Sequence, residues 1–156
     1  MATILGIDPG LRATGWGVIS CDEGKFEYIS HGTIRPKTTI PMAERLRFLY
    51  EAMLNVMEEC QPDCVSIESV FVNNNRMSSL YLGFARGVLL AAAANTAIYE
   101  YSPTTIKKAV TGHGHAKKSS LMLAISKIIE KIPEKLTQDA ADAISIALCH
   151  CIKLDT

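Results

Sequence analysis

The stretch Thr3-Ile4-Leu5-Gly6-Ile7-Asp8, followed at once by Pro9-Gly10, predicts a short apolar β-strand that ends in a tight turn. Residues 14–20 and 26–34 have the composition of two more strands, and Asp22-Glu23-Gly24 between them is a hairpin signal. These three segments predict an antiparallel β-meander at the start of the fold.

After this meander the pattern changes to helices that alternate with strands. Apolar residues at positions 42, 46, 49, 53 and 57 lie on one face of a predicted helix. Two more strands are expected at 64–68 and 97–101, and further helices at about 77–95, from 103, at 119–131 and at 137–153. This order predicts an α/β fold in a single domain of residues 1–156. Its mixed five-stranded sheet combines an antiparallel meander with α/β units and is flanked by helices.

The composition is that of an ordinary globular domain, with 156 residues, of which 48% are hydrophobic and 21% charged. The longest strictly apolar run, residues 88–94, is far shorter than the ~18 residues of a membrane span. Five cysteines without a paired CxxC pattern suit free thiols in a reducing compartment. The N-terminus has no basic segment typical of a signal peptide. We therefore expect a cytoplasmic protein without a membrane as a partner.

Four acidic residues border apolar segments, where an unpaired carboxylate is costly. Asp8 and Glu68 end predicted strands, and strand ends are where α/β proteins place their sites. Asp139 and Asp142 share one face of an almost entirely apolar helix. Each acid alone could be a turn former or a partner of the helix dipole. Four clustered carboxylates, however, would repel one another unless cations neutralised them, and oxygen ligands select Mg²⁺ or Mn²⁺.

The charge of the chain is unevenly distributed, although 16 Lys and Arg balance 16 Asp and Glu overall. Residues 69–118 contain one acid, Glu100, and six basic residues: Arg76, Arg86, Lys107, Lys108, Lys117 and Lys118. A basic stretch beside an acidic site suits a metal-dependent nuclease, and a solvated surface is the plainer alternative. Lys117 and Lys118 also precede a predicted helix, where free backbone N–H groups favour anions.

Several motifs, taken in order, resemble the RuvC-type Holliday-junction resolvases. They span nearly the whole chain: Gly6-Ile7-Asp8-Pro9-Gly10, Ile67-Glu68 with Phe71, Leu82-Gly83 with Ala85-Arg86-Gly87, and Asp139-Ala140-Ala141-Asp142-Ala143. The resemblance implies a ribonuclease-H-like fold, a homodimer and a divalent-metal endonuclease. Such an enzyme nicks two strands of a four-way DNA junction symmetrically, in recombination and repair. It also implies a branch-migration motor complex of the RuvA/RuvB type as a partner.

The resemblance also assigns roles to individual residues. The family's catalytic acids, which hold two Mg²⁺ ions with Mn²⁺ as a substitute, match Asp8, Glu68, Asp139 and Asp142. Phe71 matches an aromatic residue that stacks on bases near the crossover, and Lys107 and Lys118 match basic positions associated with DNA and catalysis. Further DNA contacts are expected from the remaining basic residues Arg76, Lys108 and Lys117.

For the nuclease, we expect one metal to lower the pKa of the attacking water and the other to stabilise the leaving 3′ oxygen. Lys118 would neutralise charge at the scissile phosphate. The Leu- and Ala-rich helix at 77–95 is the candidate dimer interface.

Two other functions fit parts of the sequence. A Gly-Ile-Asp-x-Gly turn on a β-meander also occurs in nucleotide-binding modules of the actin and sugar-kinase type, which need two such domains. The other alternative is a protein that binds four-way junctions without cleaving them, and the carboxylates at all four acidic positions argue against it.

Overall fold

The first three strands form the predicted antiparallel meander. The computed structural model describes residues 1–69 and 74–156, beginning with β1 (Ala2–Asp8), β2 (Thr14–Asp22) and β3 (Lys25–Ile34). β2 pairs antiparallel with both β1 and β3. The turn between β2 and β3 contains Glu23 and Gly24, with φ angles of 47° and 78°, a region that glycine enters without steric cost.

Two α/β units extend the meander on its other side. Their elements are α1 (Met42–Cys60), β4 (Cys64–Glu68), α2 (Arg76–Ala92) and β5 (Ala97–Tyr101). β4 is parallel to both β1 and β5, as expected for strands joined by helical crossovers. The carboxyl ends of β1, β4 and β5 therefore lie at one edge of the sheet.

The C-terminal part adds a strand that the sequence did not predict. Its elements are α3 (Pro103–Thr111), α4 (Lys118–Ile128), β6 (Ile129–Glu130) and α5 (Gln138–Leu154). Within the described residues the sheet has the order β5-β4-β1-β2-β3-β6, so it is mixed as predicted but has six strands instead of five. The helix expected at 119–131 ends at Ile128, because Ile129 and Glu130 pair in parallel with the start of β3. A strand of two residues has no periodicity to detect.

Helices cover both faces of the sheet. On one face, α1 and α2 pack over a core that includes Leu5, Ile7, Leu49, Met53 and Leu89. On the other, α4 and α5 pack over Ile4, Ile19, Ile125, Ile144 and Leu148. Neighbouring residues of β1 belong to opposite cores because successive strand side chains point to opposite faces. No helix in residues 1–69 and 74–156 is long and apolar enough to cross a membrane.

Helix α5 lies very close to the sheet because the strands beneath it carry glycines. Gly6 and Gly17 are partners in the β1–β2 pairing. A Cβ on Gly6 would lie 2.0 Å from the carbonyl oxygen of Ala143, and one on Gly17 would lie 2.5 Å from Cγ1 of Ile144. The missing side chains leave room for the α5 backbone, so the glycines of the strands determine how closely this helix packs on the sheet.

Candidate active site

The first two acids of the site come from neighbouring parallel strands. Asp8 is the last residue of β1 and Glu68 the last residue of β4. The pairing of Ile7 with Ile67 brings the two strand ends level with each other. The two carboxylates therefore lie side by side at the carboxyl edge of the sheet, as the sequence predicted.

Helix α5 brings the third acid to this edge. A Cβ on Gly15, the partner of Asp8 in β2, would lie 2.3 Å from the carbonyl oxygen of Asp139, so the first turn of α5 lies directly over the end of the meander. Asp142, on the next turn, accepts a hydrogen bond from Nε2 of Gln138 at 2.8 Å. Its other oxygen is 3.8 Å from Nζ of Lys118.

These residues meet in a cleft of about 240 Å³. Its polar lining consists of three acids and two lysines: Asp8, Glu68, Asp142, Lys107 and Lys118. The rest of the lining is mainly apolar and includes Ile106, Leu121 and Ile146. The structure thus brings together three of the four predicted acids with the two lysines that the family resemblance singled out.

Asp139 lies beside the cleft and is not part of its lining. Its Oδ2 is 3.3 Å from Nη2 of Arg35, on the segment just after β3. Its negative charge nevertheless contributes to the raised pKa of Asp8, so the two carboxylates are close enough to repel each other.

The cleft disfavours negative charge. Burial, followed by the charges of Glu68, Asp142 and Asp139, raises the pKa of Asp8 to about 7. Burial and then the charge of Asp142 raise the pKa of Glu68, whereas the nearby lysines oppose that shift. Burial also raises the pKa of Asp142, against the hydrogen bond from Gln138 and the charge of Lys118. Additional positive charge in the cleft would therefore favour full ionisation of all three acids.

The donor set fits a hard divalent cation. All of the offered atoms are carboxylate oxygens, which Mg²⁺ and Mn²⁺ prefer, and such an ion would cancel the repulsion among the acids. Within residues 1–69 and 74–156, no three His, Cys, Asp or Glu side chains already form a metal site. The acids would have to close around an ion.

Two further predicted lysines face away from the acids. Lys108 and Lys117 line a wide groove of about 1100 Å³ between α3 and α4, together with Lys127, His113 and His115. Lys108 directly follows Lys107 of the cleft in the chain, and Lys117 directly precedes Lys118. Successive side chains point in different directions, so the two lysines of each pair line different surfaces. The groove is therefore a basic surface next to the acidic cleft.

Of the remaining predicted DNA contacts, Arg76 and Phe71, the structure describes Arg76. It is the first residue of α2 and is exposed. Phe71 lies in the segment 70–73, outside the described residues. Arg76 does not line the cleft that holds the acids.

Arg86 is a residue of the site region for which the sequence predicted no role. Its side chain is 13% exposed, donates a hydrogen bond through Nη1 to the carbonyl oxygen of Glu68, and places Nη2 3.2 Å from Oε2 of Glu100. A weak signal was present, because Glu100 is the single acid in the basic stretch 69–118. The contact to Glu68 could not be inferred, because it involves a backbone atom 18 residues away.

The sequence matches the family model for crossover junction endodeoxyribonuclease RuvC over residues 4–150. The crossover junction endodeoxyribonuclease RuvC of Azorhizobium caulinodans is 42% identical over 152 residues, covering 96% of this chain and 89% of that protein. The structure of T. thermophilus RuvC in complex with Holliday junction substrate is similar, with a TM-score of 0.92 and 28% identity, over 99% of this chain and 96% of that chain. The yeast mitochondrial Holliday junction resolvase Ydc2 shares the fold, with a TM-score of 0.70 and 15% identity, over 96% of this chain and 78% of that chain. These matches confirm the predicted ribonuclease-H-like α/β fold.

Proposed function

The chain belongs to the RuvC family of crossover junction endodeoxyribonucleases, and we propose that it resolves four-way DNA (Holliday) junctions by symmetric paired nicking, in recombination and repair. The observation that carries this proposal is the cleft in which Asp8, Glu68 and Asp142 face Lys107 and Lys118. Carboxylates bind metal ions and lysines bind phosphates, so the cleft combines the two needs of a metal-dependent nuclease. The family assignment favours this activity over nucleotide binding.

The acids are proposed to hold two Mg²⁺ ions, with Mn²⁺ as a substitute. Asp8 is the most buried of the three cleft acids and is close to the other carboxylates, so it is assigned as the shared ligand. Glu68 and one aspartate of α5 are assigned to one ion, and the other aspartate, Asp139 or Asp142, to the second. Bound Mg²⁺ supplies an activated water near neutral pH and stabilises charge on the leaving 3′ oxygen. The expected products are 5′-phosphate and 3′-hydroxyl ends.

The lysines have two different tasks. Lys118 is proposed to neutralise the charge that develops at the scissile phosphate and Lys107 to hold the same strand, which their place beside Asp142 in the cleft supports. Lys108 and Lys117 line the adjoining groove and extend the positive surface for the DNA backbone. Phe71 is proposed to stack on a base near the crossover and Arg76 to bind DNA next to it.

The active species is proposed to be a homodimer that pairs through α2. Helix α2 exposes Met77, Leu80, Tyr81 and Phe84, which follow the i, i+3, i+4, i+7 pattern of one helix face. No atom of the described residues lies within 4 Å of a Cβ built on Gly83 or Gly87, so a second helix could approach closely. A two-fold dimer also presents identical sites to the two equivalent strands of a junction.

Three broader proposals concern the domain organisation, the location and the partners of the protein. All strands form one continuous sheet in the described residues, which supports a single nuclease domain over residues 1–156. The enzyme is proposed to act in the cytoplasm on chromosomal junctions. A branch-migration motor complex of the RuvA/RuvB type is proposed to deliver those junctions.

A labelled four-way junction tests the proposal when it is compared with a linear duplex of the same sequence. With Mg²⁺, wild-type protein should nick the junction at two symmetric positions and leave ends that a ligase joins directly. EDTA should abolish cleavage, and the linear duplex should stay intact. Asp8→Asn keeps the side-chain shape but removes the charge, so it should bind the junction without cleaving it.

The matched control is Asp155→Asn, because Asp155 is an exposed aspartate at the C-terminal end of α5. This variant should cleave like wild type. Cleavage of the linear duplex at the same rate, or an active Asp8→Asn variant, would exclude the proposed function.

A further inference from the structure

We infer that Arg86 is a positioning residue that holds Glu68 in place for metal binding and links it to helix α2. The inference rests on the proposed function, because it concerns the same acidic cleft. Arg86 does not line that cleft and is assigned no contact with the substrate. It acts through the backbone of Glu68 instead.

The contacts of Arg86 are made by two different nitrogens of one rigid group. Nη1 donates to the carbonyl oxygen of Glu68, and Nη2 lies 3.2 Å from Oε2 of Glu100 on β5. The guanidinium is planar and presents its donors in a fixed fork, so both partners constrain its position. Its side chain is largely buried, which limits competition from water.

The held carbonyl lies where the sheet ends. Glu68 is the last residue of β4, and the next residue, Ser69, donates its backbone N–H to the carbonyl oxygen of Tyr101 at 2.8 Å. Beyond this bond the backbone pairing of β4 ends, and strand ends tend to fray. The bond from Arg86 fixes the last peptide unit, and with it the direction in which the Glu68 side chain points.

The same residue connects the site to the proposed dimer helix. Ala85 and Leu89, on either side of Arg86 in α2, are fully buried and anchor this part of the helix to the core. Phe84, two positions before Arg86, belongs to the exposed apolar stripe of α2, which consists of Met77, Leu80, Tyr81 and Phe84. The hydrogen bond from Arg86 to the carbonyl oxygen of Glu68 therefore couples the position of α2 to that of the peptide that carries Glu68. The positive charge of Arg86 further opposes the rise in the pKa of Glu68.

If Arg86 positions Glu68, its replacement should change the affinity of the acidic cleft for Mg²⁺. Groups that orient a metal ligand without touching the ion typically contribute about 10-fold to 100-fold in affinity. Arg86→Gln removes the charge and the fork, and it should weaken Mg²⁺ binding by about tenfold. Arg86→Lys keeps the charge but offers a single donor group, so the Mg²⁺ affinity of this variant should lie between those of Arg86→Gln and wild type.

The experiment measures Mg²⁺ binding to the full chain by calorimetry and by the Mg²⁺-induced rise in melting temperature. Arg47→Gln is the matched control, because Arg47 forms an exposed pair with Glu51 on α1 away from the cleft. It should bind Mg²⁺ like wild type. Glu100→Gln removes the second partner of Arg86 and should weaken Mg²⁺ binding less than Arg86→Gln does.

The outcomes separate this inference from the proposed function. Wild-type Mg²⁺ affinity in folded Arg86→Gln, with or without a lower melting temperature, would show a purely structural residue and overturn the inference. If Arg86→Gln does not fold, Arg86→Lys decides the matter in the same way. Failure of the proposed function gives a different result: wild-type protein without Mg²⁺-dependent junction cleavage, or Asp8→Asn with unchanged Mg²⁺ binding.

Discussion

Helices α2 and α5 have the same length of 17 residues and a similar apolar character, yet they are buried to very different degrees. In α5, eleven residues between Ala140 and Cys151 are buried, whereas the buried residues of α2 are Ala85, Leu89 and Ala92. The difference lies in their neighbours. The strands under α5 carry glycines that admit its backbone, whereas the glycines of α2 itself face open space within the described residues.

The comparison shows that apolar composition alone does not determine what a helix does. The close approach of α5 brings Asp142 and Asp139 next to Asp8, at an electrostatic cost that a metal ion can relieve. The partial exposure of α2 leaves an apolar stripe that a second copy can cover. One helix therefore completes the acidic cleft, and the other carries the face that is proposed to pair two copies.

The largest expected effect concerns the acids that α5 completes. In the folded protein Asp8 has a pKa of about 7, against an ordinary value of 3.8. Between these values the folded protein keeps a proton that the unfolded chain has released, so the free energy of unfolding should fall as pH rises from about 4 to about 7. A shift of roughly three units corresponds to about 4 kcal/mol. Denaturant unfolding of metal-free protein across this range measures it.

Asp8→Asn is the variant that checks the cause of this pH dependence. Its stability should fall less steeply with pH, with a remaining slope from Glu68 and Asp142, whose pKa values are also raised. Equal slopes in the two proteins would assign the effect to other groups.

The next effect concerns the approach of α5 to the sheet. Gly6→Ala places a methyl group 2.0 Å from a backbone oxygen of α5, which the helix can accommodate only by moving, so we expect a loss of about 3 kcal/mol. Gly87→Ala is the control on α2, where the added methyl group contacts no described atom. It should stabilise the monomer by about 0.5–1 kcal/mol, because alanine favours helices over glycine. A tolerated Gly6→Ala would mean that the glycine does not set the position of α5.

A smaller effect is expected at the stripe on α2. Phe84 is 38% exposed, and covering this remaining area in a dimer contributes about 1 kcal/mol. Phe84→Glu should therefore shift sedimentation toward monomers and reduce paired cleavage, with little change in monomer stability. Glu58→Gln, at an exposed position on α1, is the control for charge changes elsewhere on the surface. Dimers of unchanged affinity in Phe84→Glu would place the interface on another face.

Most of the fold could be predicted because its elements carry local signals. The turn at Asp22-Glu23-Gly24 and the strand at 97–101 follow from residues that are adjacent in the chain. β6 could not be predicted in this way, because it exists only through its pairing with the start of β3, about 100 residues earlier. The prediction of helix at those positions followed the apolar run and lacked that information.

The site was predictable in its residue types but not in its arrangement. Strand ends pointed to Asp8 and Glu68, and helical spacing pointed to the acids of α5. The pairing of Asp139 with Arg35 and the bond from Arg86 to Glu68 join residues far apart in sequence, so no local pattern reveals them. The different directions of Lys107 and Lys108, by contrast, could have been predicted from helix geometry.

The central claim is that a metal ion offsets repulsion among buried carboxylates, and thermal unfolding with and without Mg²⁺ tests it most directly. At a hundredfold excess over Kd, Mg²⁺ should stabilise wild-type protein by about 2.7 kcal/mol. Asp8→Asn should be more stable than wild type without metal at pH 8 and should gain less from Mg²⁺, whereas Asp155→Asn should behave like wild type. An Asp8→Asn variant that is less stable without metal, with the full Mg²⁺ response retained, would contradict the account.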